Sequence, residues 1–292
     1  MKKRFIGIAL LSCAAVAVSP ALANHQWGTY HWSKGGGELA VSVGDNVEPK
    51  WDIYLEVAVG NKKDGTDSGS AKSWNDSTVI QSPLVTGGTT ARRCKAAAGR
   101  IEVCNLKYGQ NGWLGLAGIS ISGGHITSGY TKLNDTYFDT AKYNTPAWRR
   151  LVMCQEIGHD YGLSHTDEAF ENPNDGTCMD YTSDPDGTIA NPDQLSNEYP
   201  NDHDYFMLAS DAMYGSGHPH TSATNFGVRE FGKAAPAASD AGIEGGNSPA
   251  DWGRAIDYDG EGRPHIFEKS ENGRTIITHV FWVPGYRPAG SR

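Results

Sequence analysis

The sequence predicts an α+β fold, and three features of the chain lead to this prediction. Residues 38–43 alternate between apolar and polar side chains, as the residues of a half-buried strand do. Pro49 and Pro146 each open a segment that has the features of a helix. The dipeptide Asn272-Gly273 lies between two extended stretches, which is a strong hairpin signal. The chain has 292 residues, enough for one or two domains with a core.

The helices are predicted from their spacing and their ends. Trp51, Leu55 and Ala58 recur at helical spacing, which predicts a helix over residues 49–59. Thr145 can cap a helix that begins with proline and that ends before Gly162, so a second helix is expected over 145–161. A third helix is expected over 201–214. We expect further strands at 77–85, 100–106, 114–121, 125–133, 263–269 and 275–283 and a loop at 61–73.

Residues 1–23 have the features of an export signal. Lys2, Lys3 and Arg4 precede an apolar run over 5–18, and residues 21–23 form a small-x-small cleavage site. The mature chain is therefore expected to begin at Asn24 and to be secreted, either to the periplasm or outside the cell. A lipidation box at Cys13 is the alternative, but the apolar run continues well past it.

Charge and hydropathy exclude some partners. The full chain carries a net charge of −9, and the signal removes three positive charges, which leaves about −12. An acidic chain without a basic stripe is a poor nucleic-acid binder. After the signal, no apolar run is long enough to span a membrane. The oligomeric state cannot be predicted from the sequence.

Four cysteines remain after the signal: Cys94, Cys104, Cys154 and Cys178. An even number in an exported chain predicts two disulfides, for which three pairings exist. A bond between Cys94 and Cys104 closes a local loop and is preferred. A zinc site built from these residues is disfavoured, because no C-x-x-C pair occurs.

Residues 155–165 contain the side chains that are candidates for binding a metal ion and for catalysis. Gln155 and His159 are four positions apart, so their side chains share one face of the predicted helix. Glu156 lies beside that face. Gly162 lets the chain leave the helix sharply, which can bring His165 back as a further ligand. Two or three protein ligands and a water form the open arrangement of a catalytic zinc ion.

This segment resembles the metzincin signature H-E-x-x-H-x-x-G-x-x-H. Glu156, His159, Gly162 and His165 match the pattern, whereas Gln155 stands where the family has its first histidine. The resemblance implies a secreted, matrixin-like zinc metalloendopeptidase in which Glu156 is the general base and acid. It also implies a twisted mixed sheet above the active-site helix, and an extended peptide substrate that pairs with the strand around residues 116–122.

A second motif agrees with this resemblance. Met179 and Tyr181 lie shortly after His165, where metzincins have a methionine turn followed in some families by a tyrosine. The resemblance implies that Met179 packs beneath the metal. For Tyr181, two alternatives are open. The resemblance implies a group that approaches the zinc or the oxyanion, and otherwise Tyr181 is a packed core residue. The resemblance also places Cys154 and Cys178 on the two sides of one site, which implies that they pair.

Several alternatives stay open. Gln155 can ligate zinc weakly, or only hydrogen-bond a water and leave two histidine ligands. A pseudo-protease that binds peptides is therefore the alternative function, and a structural envelope protein is a third. Acidic residues in 64–67 and 184–204 offer oxygen atoms to a structural calcium ion, although they lack the spacing of a calcium loop.

The predicted domain organisation has four parts. Residues 1–23 are the signal, and residues 24–215 are the metzincin-like domain. Residues 216–249 are rich in Gly, Ala, Ser and Pro and are expected to form a linker. Residues 250–292 are expected to form a small hairpin unit that packs on the main domain, because a lone hairpin is marginally stable in water.

Overall fold

A computed structural model describes residues 25–28, 30–34, 37–60, 72–189, 194–210, 213–215 and 243–292. The predicted export signal lies outside these residues, as do most of the predicted loop at 61–73 and residues 216–242 of the predicted linker. Within the described residues, no helix has the length and apolar character needed to cross a membrane.

The secondary structure consists of a large set of strands and a few helices. The described strands are β1 His31–Trp32, β2 Ser42–Asn46, β3 Leu84–Thr86, β4 Arg100–Leu106, β5 Trp113–Ser122, β6 His125–Asn134, β7 Arg254–Tyr258, β8 Pro264–Glu271 and β9 Arg274–Trp282. The described α-helices are α1 Pro49–Val59, α2 Asp135–Phe138, α3 Pro146–Asp160, α4 Asp202–Leu208 and α5 Pro249–Trp252. One 3-10 turn covers Trp74–Asp76.

All these strands belong to one mixed sheet. Its order is β3-β2-β4-β6-β5-β9-β8-β7, and β1 pairs with β6 outside this path. The pairs from β3 to β6 are parallel, whereas every pair from β6 through β5 to β7 is antiparallel. The α+β fold and the mixed sheet predicted from the sequence are therefore present in the structure.

Helix α3 packs against β5 and β6 and also contacts α1. The hydroxyl of Thr145 accepts a hydrogen bond from the backbone nitrogen of Trp148 at 3.3 Å, and Pro146 takes the first helical turn, as predicted. Apolar residues from α1, α3, the 3-10 turn and the sheet form the main core, which buries Trp51, Trp74, Leu151, Val152 and Ile157, among others.

The C-terminal strands are an integral part of this sheet. Strand β9 lies between β5 and β8. A second apolar cluster holds these strands together and consists of Trp113, Leu116, Trp252, Phe267, Val280 and Trp282. The predicted hairpin is confirmed, because Asn272 and Gly273 both have positive φ angles, of 51° and 76°, in the turn that joins β8 to β9. The hairpin does more than pack on the domain, since it extends the central sheet.

Three predicted elements differ from the structure by more than two residues at one end or both. The strand expected at 38–43 begins only at Ser42, because Leu39 instead forms an isolated bridge with Ile80. The strand expected at 77–85 shrinks to β3 at Leu84–Thr86. The helix expected at 201–214 ends at Leu208, and the carbonyl of Leu208 accepts a hydrogen bond from the backbone nitrogen of Tyr214 at 3.1 Å.

Both disulfides have the expected pairing. Cys94 bonds to Cys104, and Cys154 bonds to Cys178, each with 5.9 Å between the Cα atoms. The first bond joins a loop to β4. The second ties α3 to the turn that carries Met179. Disulfides are typical of proteins that fold in oxidising compartments, which agrees with the predicted export.

The chain that remains after removal of the predicted signal should contain no free thiol. All four of its cysteines are bonded, and the fifth, Cys13, lies in the predicted signal. Titration of the denatured, non-reduced protein with a thiol reagent should give a signal near zero, and reduction should release about four thiols per chain. About one free thiol before reduction would show that Cys13 is retained, and two or more would contradict the pairing.

Candidate metal centre

Helix α3 ends where the chain must turn sharply. Gly162 has a φ of 96°, and a Cβ atom there would lie 2.2 Å from the carbonyl oxygen of Tyr30. Only glycine fits this position without strain. The turn sends the chain back along the helix, and His165 then lies beside His159, with 4.6 Å between the ring centroids. The structure thus brings together the two predicted histidines.

The orientation of His159 is fixed by a backbone contact. Its Nδ1 lies 2.8 Å from the carbonyl oxygen of Leu163. A carbonyl oxygen only accepts, so Nδ1 carries the hydrogen and Nε2 keeps a lone pair. A histidine whose other nitrogen donates to a carbonyl is the usual form of a metal ligand. His159 is buried, and the loss of hydration lowers its pKa well below the usual range, which favours the neutral, ligating form.

A third imidazole comes from the C-terminal strand. The ring of His279 in β9 stacks on that of His159, with centroids 3.8 Å apart. His159, His165 and His279 each offer a nitrogen, and these nitrogens lie within 4.8 Å of one another. Neither nitrogen of His279 has a hydrogen-bond partner among the described residues. No ligand motif marks His279 in the sequence, and its one signal is an imidazole among the large apolar residues at the end of β9.

Glu156 lies on the same side of the sheet as His279. A Cβ atom on Gly115 would be 2.4 Å from Oε1 of Glu156, so β5 passes directly over this carboxyl group. Ala117, two residues further along β5, pairs with His279, and residues two apart in a strand share a face. Neither oxygen of Glu156 has a hydrogen-bond partner among the described residues. Burial, and secondly the charge of Asp160, raises the pKa of Glu156 well above its usual range.

Gln155 is fixed by a different contact. Its amide nitrogen donates to the carbonyl of Cys178 at 2.7 Å, and the side chain is buried. This bond reinforces the disulfide between Cys154 and Cys178, because both link α3 to the same turn. Ligation of a metal by the amide oxygen of Gln155 stays a prediction. In the structure, however, the third imidazole beside His159 and His165 belongs to His279.

The turn after His165 packs beneath the helix. A Cβ atom on Gly158 would lie 2.5 Å from the sulfur of Met179, so the glycine allows Met179 to approach the helix closely. The ring of Tyr181 lies 4.2 Å from that of His165. Its hydroxyl donates to the carbonyl of Val280 at 3.4 Å and lies 3.4 Å from Nδ1 of His265. Tyr181 is thus a buried residue beside the histidines, in contact with β8 and β9.

A carboxylate stands behind His165. Oε1 of Glu168 lies 3.3 Å from Nδ1 of His165 and 3.4 Å from Nε2 of His265. His165, Glu168 and His265 form a second group with close donor atoms. A carboxylate that holds Nδ1 of a ligating histidine orients its ring and leaves Nε2 for the metal. Glu168 and His265 were not predicted from the sequence, because neither belongs to the two motifs.

The predicted substrate position on the sheet is occupied. Strand β5 was expected to accept an extended peptide around residues 116–122. Instead, β9 pairs with it from Trp113 to Ile121 in the antiparallel direction. That expectation is therefore wrong for this arrangement, because the unpaired edge that it needs is filled by the chain's own C-terminal strand. The cause is a long-range pairing that motif spacing does not reveal.

One of the predicted calcium ligands, Asp184, has a role within its own loop. Oδ2 of Asp184 accepts the backbone nitrogen of Ile189 at 2.8 Å, so this carboxylate holds its own loop. Residues 64–67 lie outside the described residues. A structural calcium ion stays a prediction.

The residues of the centre fit zinc. Three neutral imidazole nitrogens are a donor set that zinc prefers. Lone pairs without partners on His165, His279 and Glu156 are costly in a buried site unless a cation or proton satisfies them. Comparison of the sequence with known proteins finds no matching family model and no matching curated protein.

Gly162 should be needed for the stability of the turn that brings His165 to His159. Gly162→Ala should destabilise the fold by roughly 2–4 kcal/mol, because it adds a clash with Tyr30 to an unfavourable φ. Gly273→Ala is the matched control, since Gly273 also has a positive φ but a Cβ atom added there would have no neighbour within 4 Å. It should cost only about 1–2 kcal/mol. Urea denaturation measures both, and equal losses would show that the close approach to Tyr30 is unimportant.

Proposed function

We propose that this protein is a zinc-dependent metalloendopeptidase. One observation carries the proposal: the buried carboxyl group of Glu156, without a hydrogen-bond partner among the described residues, on the same side of the sheet as three imidazoles whose nitrogens lie within 4.8 Å of one another. His159, His165 and His279 would hold the ion. The resemblance of residues 155–165 to the metzincin signature supports the same assignment.

The chemistry divides between the ion and the protein. When bound, zinc lowers the pKa of water and polarises the scissile carbonyl. The part of Glu156 is to accept a proton from the attacking water and to deliver it to the leaving amine. Glu156 is suited to both steps because its carboxyl group is held by no other hydrogen bond among the described residues. A nearby cation also opposes the effect of burial on its pKa and stabilises the carboxylate that acts as the base.

The protein supplies the orientation of the ligands. The carbonyl of Leu163 fixes the tautomer of His159, and Glu168 accepts from Nδ1 of His165. The disulfide between Cys154 and Cys178 and the amide of Gln155 keep the helix and the methionine turn together. Supports of this kind hold ligands within the narrow range that catalysis requires.

A second candidate function is a metal-binding protein without peptidase activity. Glu156, His159, His165 and His279 are all buried. Strand β9 also buries Ile277, Val280, Phe281 and Trp282. Burial of each of these side chains stabilises the fold by about 1.5–3 kcal/mol. Separating β9 from β5 would therefore cost about 6–12 kcal/mol, which is comparable to the whole stability of a typical domain. This strand is a fixed part of the fold, and a substrate must reach Glu156 without pairing with β5.

Glu156→Gln should abolish hydrolysis and preserve metal binding. The loss of the general base should lower the rate by at least ~10²–10⁴-fold, because one residue serves both proton transfers. Glu171→Gln is the control, since Glu171 is an exposed carboxylate beyond the same helix. The assay is hydrolysis of a quenched peptide library by zinc-saturated protein. A Glu156→Gln rate equal to that of the parent contradicts the mechanism, and an inactive parent favours the second candidate.

Substitutions of the third ligand should separate His279 from Gln155. His279→Asn should weaken zinc binding by more than the ~10–100-fold that is typical of losing an outer partner of a ligand. Gln155→Ala should weaken it less, whereas Gln155→His should tighten it if the new imidazole reaches the ion. Competition with a chromophoric chelator measures these affinities. A larger effect of Gln155→Ala than of His279→Asn would assign the third position to the helix.

A further inference from the structure

A separate group of metal-ligating side chains lies where the N-terminal segment meets α4. His25 belongs to the first described segment, and His203 and Asp204 belong to the first turn of α4. Each offers one donor atom, and the three atoms lie within 4.8 Å of one another. None of these residues is a member of the centre around His159.

The tautomer of His25 is fixed by its surroundings. Its Nδ1 lies 3.0 Å from the carbonyl oxygen of Ser164, so Nδ1 carries the hydrogen and donates it. In the neutral ring, Nε2 is then left with a lone pair. His25 is almost fully buried, and burial lowers its pKa to about 4, so the neutral ring is the form expected near pH 7.

One carboxylate oxygen of Asp204 faces Nε2 of His25. Its Oδ2 accepts from the hydroxyl of Thr177 at 2.5 Å and from the backbone nitrogen of Asn201 at 2.7 Å. Its Oδ1 lies 3.3 Å from Nε2 of His25 and has no hydrogen-bond partner among the described residues. Two buried acceptors therefore face each other with no donor between them, an arrangement that a cation stabilises.

His203 completes the group from the solvent side. Its ring lies 4.9 Å from that of His25, and its Nδ1 has no hydrogen-bond partner among the described residues. His203 is only partly buried, so it lies on the side of the group that is nearest to solvent, where a water would be the fourth ligand. The buried His25 and Asp204 then provide a preformed pair of ligands.

We propose that His25, His203 and Asp204 form a second metal site, which takes a divalent transition ion of the zinc type. Two ligands of tetrahedral zinc, each about 2.0–2.1 Å from the ion, lie roughly 3.3–3.4 Å apart. The separation of Nε2 of His25 from Oδ1 of Asp204, 3.3 Å, matches this edge. Two imidazoles and a carboxylate suit zinc, whereas calcium requires more oxygen ligands.

The site would act as a clamp. The backbone nitrogen of Ser164 donates to the carbonyl of His25 at 2.6 Å, so two hydrogen bonds join these residues. Ser164 precedes His165 in the chain. An ion held by His25, His203 and Asp204 therefore ties the N-terminal segment and α4 to the loop that carries His165. A metal bound only by the folded chain also stabilises it.

The test is the zinc content of the purified mature chain, measured by elemental analysis after equilibration with a slight excess of zinc and removal of free ion. The parent should hold about two equivalents, and His203→Ala and Asp204→Asn should each hold about one fewer. Asp202→Asn is the matched control, because Asp202 lies in the same turn with its side chain exposed and should change nothing. Zinc should also raise the melting temperature of His203→Ala less than that of the parent.

The variants also separate this proposal from the peptidase. A double variant, His159→Ala with His165→Ala, should lose the equivalent at the first centre and keep the one at His25. If the parent holds a single equivalent that His203→Ala removes and the double variant retains, the second site exists and the first is wrong. The proposal is overturned if His203→Ala keeps the parent zinc content and the parent response to zinc on melting. His203→Ala decides the matter even if Asp204→Asn fails to fold.

Discussion

Pairing of β5 with β9 brings the C-terminal strand to the helix that carries Glu156 and His159. Eight residue pairs join the two strands, and Ala117 opposite His279 sets the register. A shift of one residue would turn His279 to the other face of the sheet, because side chains alternate along a strand. The same shift would take Phe281 away from Tyr181, whose ring lies 5.0 Å from it. Apolar packing of β9 and the position of the third imidazole are therefore fixed together.

The position of β9 bears on the absence of the first motif histidine from α3. Position 155 carries a glutamine that bonds to the turn at Cys178, and an imidazole from another element lies beside His159. In the proposed centre, one ligand would thereby be held by a sheet rather than by a helix face. An extended peptide cannot pair with β5, because β9 occupies the edge of β5 that such a peptide would use. A catalyst built this way must admit its substrate by another route, which makes activity and metal binding separate questions.

Local signals account for much of what could be predicted. Thr145, Pro146 and Gly162 define α3 because caps and stops act within a few residues. The disulfide between Cys154 and Cys178 followed from the resemblance of the two motifs that it joins. His279 and His25 could not be found in this way, since they are more than a hundred residues from His165. Their contacts depend on strand register and on tertiary packing, for which neither spacing nor composition carries a signal.

Anomalous diffraction at the zinc edge, from crystals of the zinc-loaded protein, tests most directly whether β9 contributes to the metal centre. We expect a peak between His159, His165 and His279, about 2.0–2.1 Å from one nitrogen of each, with Glu156 beside it and outside ligand distance. A peak bound by His159, His165 and the amide oxygen of Gln155, with His279 turned away, would contradict the assignment. The absence of any peak at these histidines in fully loaded crystals would contradict the metal centre itself.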